Sequence, residues 1–202
     1  MPMTHPDNAR KMIACLPYAE GAYPDALLEA LVRDCQAQGL RIAGVLQHDA
    51  ARHDRSRCDM NLEDLATGTL ISLSEDRGAA ARGCRIDADG LVRAAFLIQS
   101  ALDQGGIDLL VINKFGKIES EGGGLREVIA HAVSIGIPVV IGVPMRNLDA
   151  WNAFAGLLSD VLMLDRIVVR EWIEERIARI KRIPGFDERK QTSVAVEDES
   201  IS

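Results

Sequence analysis

Apolar residues in this chain fall into two kinds of stretch. Short continuous runs at 12–16, 40–46, 107–112, 137–143 and 161–164 have the length of strands buried on both faces. Between them, apolar positions recur three and four residues apart. Leu27, Leu28, Leu31, Val32 and Cys35 form one such stripe, started by Pro24 and ended at Gly39. Leu91, Ala94, Ala95, Ile98 and Leu102 form a second, behind the capping residue Asp87. Leu125, Val128, Ile129, Ala132 and Val133 form a third, entered through Gly122-Gly123-Gly124. Two further helices are predicted over roughly 149–158 and 168–182, the last broken by Pro184 and Gly185.

Two segments interrupt this alternation. Residues 47–57 are polar and aperiodic and read as an exposed loop, as do residues 74–86. Between them, 58–62 and 70–73 flank Leu65-Ala66-Thr67-Gly68 and read as a hairpin. The predicted order is β-α-β, hairpin, α-β-α-β-α-β-α. Strands alternating with helices imply an α/β fold, a mostly parallel sheet with helices on both faces and an inserted β-hairpin. One domain over 1–186 accounts for the pattern, and the acidic residues 187–202 read as a disordered tail.

Composition narrows the function classes. Of 202 residues, 48% are hydrophobic but only 4% aromatic, so the core is aliphatic. A formal net charge of −7 disfavours a nucleic-acid surface while leaving room for a local anion pocket. No apolar run approaches the roughly 20 residues that span a bilayer, and the polar N-terminus lacks a secretion signal. The expected setting is cytoplasmic, without membrane or nucleic-acid partners. Four widely spaced cysteines, Cys15, Cys35, Cys58 and Cys84, then read as free thiols.

In a parallel α/β sheet, ligands bind where the loops leave the carboxyl ends of the strands. Two such loops carry candidate chemistry. The first, Pro17 through Pro24, sits where a P-loop would, between a strand and a helix, and Gly21 keeps one of its glycines. Tyr23, Pro24 and Asp25 fall on the second glycine, the lysine and the hydroxyl. Pro24 removes an N–H donor and the lysine charge together, and Asp25 adds a negative charge near the phosphate position. The second is Asn113-Lys114-Phe115-Gly116-Lys117, after the apolar strand 107–112. A magnesium-dependent phosphatase would carry acids where Asn113 and Lys114 stand. An amide is a weak metal ligand and a lysine repels a cation, so this loop favours an anion without metal, with Lys114 and Lys117 supplying charge. Solvated loop lysines are the plain alternative.

Other candidates are weaker. Cys58 and Cys84 each neighbour an arginine, which lowers a thiol pKa and suits redox chemistry or a soft metal. Small buried residues are the competing reading, and Cys15 and Cys35 read as core. His48, Asp49, His53 and Asp54 match no metal-ligand spacing, and His131 reads as a helix-face residue. Trp151 and Trp172 read as packing anchors or as part of a subunit contact in a homo-oligomer. The triple glycine at 122–124 either closes over a ligand or merely joins two elements.

At these loops the chain resembles known families. Asn113-Lys114-Phe115-Gly116-Lys117-Ile118-Glu119 resembles the aspartate-glutamate-x-glycine-x-methionine-glutamate segment of small P-loop nucleoside triphosphatases with adenylate-kinase-like folds. Leu65-Ala66-Thr67-Gly68 resembles their hairpin, and the element order agrees over residues 12–145. Their catalytic acids and Walker lysine are missing here. More of the chain resembles the bacterial domain of unknown function numbered 2478: Arg57-Cys58-Asp59-Met60, Gly83-Cys84-Arg85 and the asparagine-lysine-phenylalanine-glycine-lysine loop. That resemblance implies a P-loop-NTPase-like fold without an established reaction, and an association with molybdate-transport genes.

The expectation from sequence is a non-hydrolysing binding protein for a small oxyanion or nucleotide, linked to molybdate metabolism. It requires no cofactor and no metal. Gly21, Asn113, Lys114, Gly116 and Lys117 are its ligand contacts. The alternatives are a divergent magnesium-dependent nucleoside triphosphatase built around Asp25, and an interaction scaffold whose site is lost.

Overall fold

A computed structural model describes residues 11–51, 58–73 and 88–182. Its centre is a seven-stranded sheet. In chain order the strands are β1 (Ile13–Tyr18), β2 (Ile42–Ala51), β3 (Cys58–Asp64), β4 (Leu70–Ser72), β5 (Leu109–Ile112), β6 (Val139–Pro144) and β7 (Ser159–Val161). Across the sheet the order is β4-β3-β2-β5-β6-β1-β7. β2, β5, β6, β1 and β7 run parallel, and β3 and β4 add antiparallel beyond β2 as the inserted hairpin.

The helices are α1 (Asp25–Ala37), α2 (Ala88–Gln104), α3 (Lys117–Ser120), α4 (Arg126–Ser134), α5 (Leu148–Ala155) and α6 (Arg166–Lys181). They cover both faces because strand residues alternate sides. On one face Ala14, Leu16, Leu109, Val111 and Val140 meet α1 and α6 through Leu28, Leu31 and Ile173. On the other, Ile13, Cys15, Leu110, Ile112 and Ile141 meet α2, α4 and α5 through Ile98, Ile129 and Trp151. Each fully buried leucine or isoleucine contributes about 1.5–3 kcal/mol, so this double layer is the main stabilising term. Cys15 and Cys35 are core residues. Among the described residues no helix is long and apolar enough to cross a membrane.

The structure corrects three expectations. Residues 47–51 are not loop: β2 continues through them and pairs with β3 in the register His48↔Asn61 and Gln47↔Leu62. Its polar residues find partners at the sheet end: His48 meets Glu63 of β3 at 2.6 Å and Glu29 of α1 at 3.7 Å. The last strand comes earlier than 161–164, at Ser159–Val161. Residues 117–120 form a helical turn that the pattern did not mark, because four residues are too few to show a period.

β2 and β5 come together with unusual closeness at Gly44. A Cβ there would overlap the Val111 carbonyl, and Gly44 has φ +120°. This contact fixes the register of the two strands whose ends carry the candidate site.

Candidate functional site

The carboxyl end of β5 is shaped by what its loop buries. Asn113 N donates to Val45 O at 3.1 Å, which continues the β2–β5 ladder one residue past the strand. Phe115 N donates to Gly142 O at 2.8 Å, and Asn147 Nδ2 donates to Phe115 O at 2.8 Å. The Phe115 ring is wholly buried, edge-on to Trp151 at 5.2 Å and stacked on Phe154 at 5.9 Å. This aromatic anchor drives the intervening residues into a tight bulge, with Asn113 and Lys114 on the side facing β2.

Glu119 then closes the loop. Its Oε2 accepts from Gly116 N at 2.9 Å and its Oε1 accepts from Leu125 N at 3.1 Å. Glu119 is only 5% exposed, so both carboxylate oxygens are satisfied by backbone rather than by solvent. The triple glycine is part of this construction. Gly122 N and Gly123 N donate to the Glu119 and Ile118 carbonyls, making a hydrogen-bonded joint between α3 and α4.

These contacts leave a recess between β5, the hairpin and the α2 face, with a volume of about 50 Å³. Val45, Leu62, Leu91, Ile112 and Leu125 form its floor. Asn113, Lys114, Gly116 and Lys117 line it together, joined by Gln47 from β2. Lys114 Nζ donates to Gln47 Oε1 at 2.6 Å, across the strand gap. Lys117 stands at the rim, largely exposed, 3.6 Å from Glu121. Asn113 is 4% exposed, and no described residue donates to its Oδ1.

Gly21 is not part of that recess. Its loop leaves β1 on the other side of β6, where Ala22 N closes a turn onto Ala19 O at 3.1 Å. Gly21 has φ +87° and open space around it. The seam between the two loops is Gly142 of β6. A Cβ on Gly142 would lie 2.5 Å from Asn113 O, 2.9 Å from Pro24 Cγ and 3.4 Å from the Tyr18 ring. The prolyl ring thus fills the volume beside β6 at the start of α1. Burial pushes the Tyr18 hydroxyl up to about 12, and the nearby Asp25 carboxylate adds to the rise while Arg146 opposes it. Arg146, 3.9 Å from Glu20, brings a cation to this loop from the turn after β6. Lys114 and Lys117 face away from it.

Sequence reasoning missed Gln47, Phe115 and Arg146. Gln47 was hidden in a segment read as loop. Phe115 carried a usable signal: an aromatic between lysines, in a chain with four phenylalanines, is there to be buried. Of the thiol pair, Cys58 opens β3 opposite Ala51, and Cys84 lies outside the described residues. So do His53, Asp54 and residues 187–202.

The sheet order, the crossover helices and the position of the two loops define a P-loop-NTPase-like α/β fold. The solution structure of a human cancer-related nucleoside triphosphatase superimposes with a TM-score of 0.57, covering 86% of this chain and 98% of that one at 14% identity. That is a likeness of fold. The chain belongs to the family described as Protein of unknown function (DUF2478), whose model matches residues 13–172. It is also similar to Molybdenum import ATP-binding protein ModC 2 of Bradyrhizobium diazoefficiens, 35% identical over 185 residues. The match takes in 91% of this chain and spans 20% of the length of that protein.

Proposed function

We propose that the protein binds a small oxyanion or nucleotide without hydrolysing it, at the carboxyl end of β5. The observation that carries this reading is the common recess of Asn113, Lys114, Gly116 and Lys117. Lys114 and Lys117 place two cations beside a buried amide whose N–H₂ group can donate to an anion. Pro24 in place of a Walker lysine, and Asp25 at the helix start, support binding over phosphate transfer. The reading needs no metal and no cofactor. The name of the ModC 2 relative supports molybdate as one ligand to test, in an assembly of which this chain would be one part.

The test is a stability and calorimetry screen of the whole chain against molybdate, sulfate, phosphate, acetate, ADP and ATP, each with and without magnesium. A ligand that binds only the native state raises the unfolding midpoint, by an amount worth about 2.7 kcal/mol at 100 times Kd. The expected result is stabilisation that is indifferent to magnesium and reduced in Lys114→Gln. Magnesium-dependent phosphate release that disappears in Asp25→Ala would replace this reading with an enzyme. No stabilisation by any ligand would leave a scaffold.

A further inference from the structure

The recess has a feature that a bare inorganic anion does not use: its floor is aliphatic. Val45, Leu62 and Ile112 come from the strands, and Leu91 and Leu125 from the helix side. The polar groups gather on one loop, Asn113, Lys114, Gly116, Lys117 and Glu119, with Gln47 beside it. Deep apolar surface with a few convergent polar groups at one end recognises a molecule of the same two-part character. Glu119 adds a second constraint. Its buried carboxylate lies in the wall, with its charge held by the hydrogen bonds from Gly116 N and Leu125 N. That negative charge offsets one of the two lysine charges in the same lining, leaving about one positive charge for a ligand to balance. Size adds a third. A cavity of 150 Å³ holds a benzene ring. The recess, at about 50 Å³, holds a body of two to four carbons before the ligand emerges at the rim.

We propose that the recess takes a short aliphatic monocarboxylate, with its hydrocarbon body on the Val45, Leu62 and Ile112 floor and its carboxylate at Lys114 and Asn113. The Asn113 amide turns its N–H₂ toward the carboxylate by a half rotation about its last torsion, which leaves its volume unchanged. Gln47, already bonded to Lys114, holds the ammonium group at the mouth. This proposal rests on the anion-binding reading above and narrows its ligand from oxyanions in general to an organic monoanion.

The experiment is a calorimetric titration of the whole chain with formate, acetate, propionate, butyrate and hexanoate, with sulfate and molybdate in parallel. Affinity is expected to rise roughly fourfold per methylene as far as butyrate, the increment of burying one CH₂ group. It then levels off at hexanoate, and the divalent anions bind more weakly. Lys114→Gln is expected to weaken every member of the series by a similar factor and to leave the step per methylene intact. Because a floor substitution such as Leu62→Ala risks unfolding the chain, methyl NMR of the parent supplies a second readout. Val45, Leu62 and Leu91 methyl resonances shift with butyrate and not with formate. Equal affinity along the series, or unmoved floor methyls, overturns the proposal. Binding of molybdate or a nucleotide without any carboxylate overturns it too, while sparing the anion-binding reading. Binding of no anion overturns both.

Discussion

Glu119 and Gly124 share one volume. A Cβ on Gly124 would overlap the Glu119 carboxylate, and Gly124 holds φ +62°, where side chains are disfavoured. The carboxylate needs that space to reach Leu125 N. Gly124→Ala is therefore expected to cost about 2–4 kcal/mol, from backbone strain and displacement of the carboxylate together. Glu119→Ala should cost a similar amount by leaving the buried Leu125 N–H and the part-buried Gly116 N–H without their acceptor. The diagnostic measurement is the double variant in urea denaturation. If both residues act through one contact, the pair costs clearly less than the two singles added. Simple additivity would show that the glycine matters for its torsion alone.

Gly44 makes a sharper demand on the fold. Any side chain there meets the Val111 carbonyl inside the sheet, where neither strand can step aside without losing ladder bonds. Gly44→Ala should lose more than about 3 kcal/mol, or fail to give a cooperative transition at all. A near-neutral result would mean that β2 and β5 slip easily. The recess then could not be rigid, since Gln47 lies on β2 and its partner Lys114 in the loop directly after β5.

How much of this was legible beforehand differs from element to element for physical reasons. β1, β5 and β6 are covered on both faces, so they appear as continuous apolar runs. The outer half of β2 is strand because β3 pairs with it, and pairing between polar residues leaves no hydrophobic trace in the sequence. The helix stripes were readable because α1, α2 and α4 each bury one face. The site was half readable. That Asn113, Lys114, Gly116 and Lys117 line one recess follows from their adjacency in one loop. That Lys114 turns toward Gln47, and away from Gly21, depends on Phe115 being pulled into the Trp151 and Phe154 cluster. No spacing rule contains such a direction. In the sequence Glu119 stands out only by resemblance, yet its carboxylate closes the loop that walls the recess.

The two core cysteines give a test of the packing itself. Burial raises the Cys15 thiol to about 12. It raises Cys35 to about 11, with the nearby Asp34 and Glu174 carboxylates adding to the rise. Both thiols stay protonated and enclosed at pH 8, so alkylation of the native chain followed by peptide mapping should leave them unmodified. Full reaction is expected only in denaturant. The linkage runs in one direction. A raised thiol pKa favours the neutral form in the folded state, so its contribution is intact below about pH 9 and is lost as pH climbs through 11 to 12. Labelling of Cys15 under native conditions would mean that β1 opens locally.

Asp160 tests the opposite edge of the sheet and the opposite sign. Its carboxylate on β7 accepts from Trp172 Nε1 at 2.9 Å and from Arg176 at 2.8 Å, and lies 3.3 Å from Lys11 Nζ. Arg176 also donates to Lys11 O at 2.8 Å, so one buried guanidinium ties α6 to β7 and to the entry of β1. Burial alone would raise the Asp160 pKa. The hydrogen bonds from Trp172, Arg176 and Lys11, with the Lys11 charge, outweigh it and hold the group below 3.8. A depressed carboxyl pKa means stability that is present above pH 3.8 and is lost as pH falls through the lower folded value. Asp160→Asn keeps the shape and one acceptor but removes the carboxylate charge 2.8 Å from Arg176, 3% exposed, leaving the Glu175 carboxylate at 3.5 Å. The expected cost at pH 7 is about 2–4 kcal/mol, somewhat less than for deleting one partner of a buried ion pair outright. Urea midpoints at pH 7, 5 and 3 should show the gap between parent and variant steady from 7 to 5 and closing toward 3. A gap that stays constant to pH 3 would assign the loss to packing around Trp172 and remove the charge on Asp160 from the account of stability.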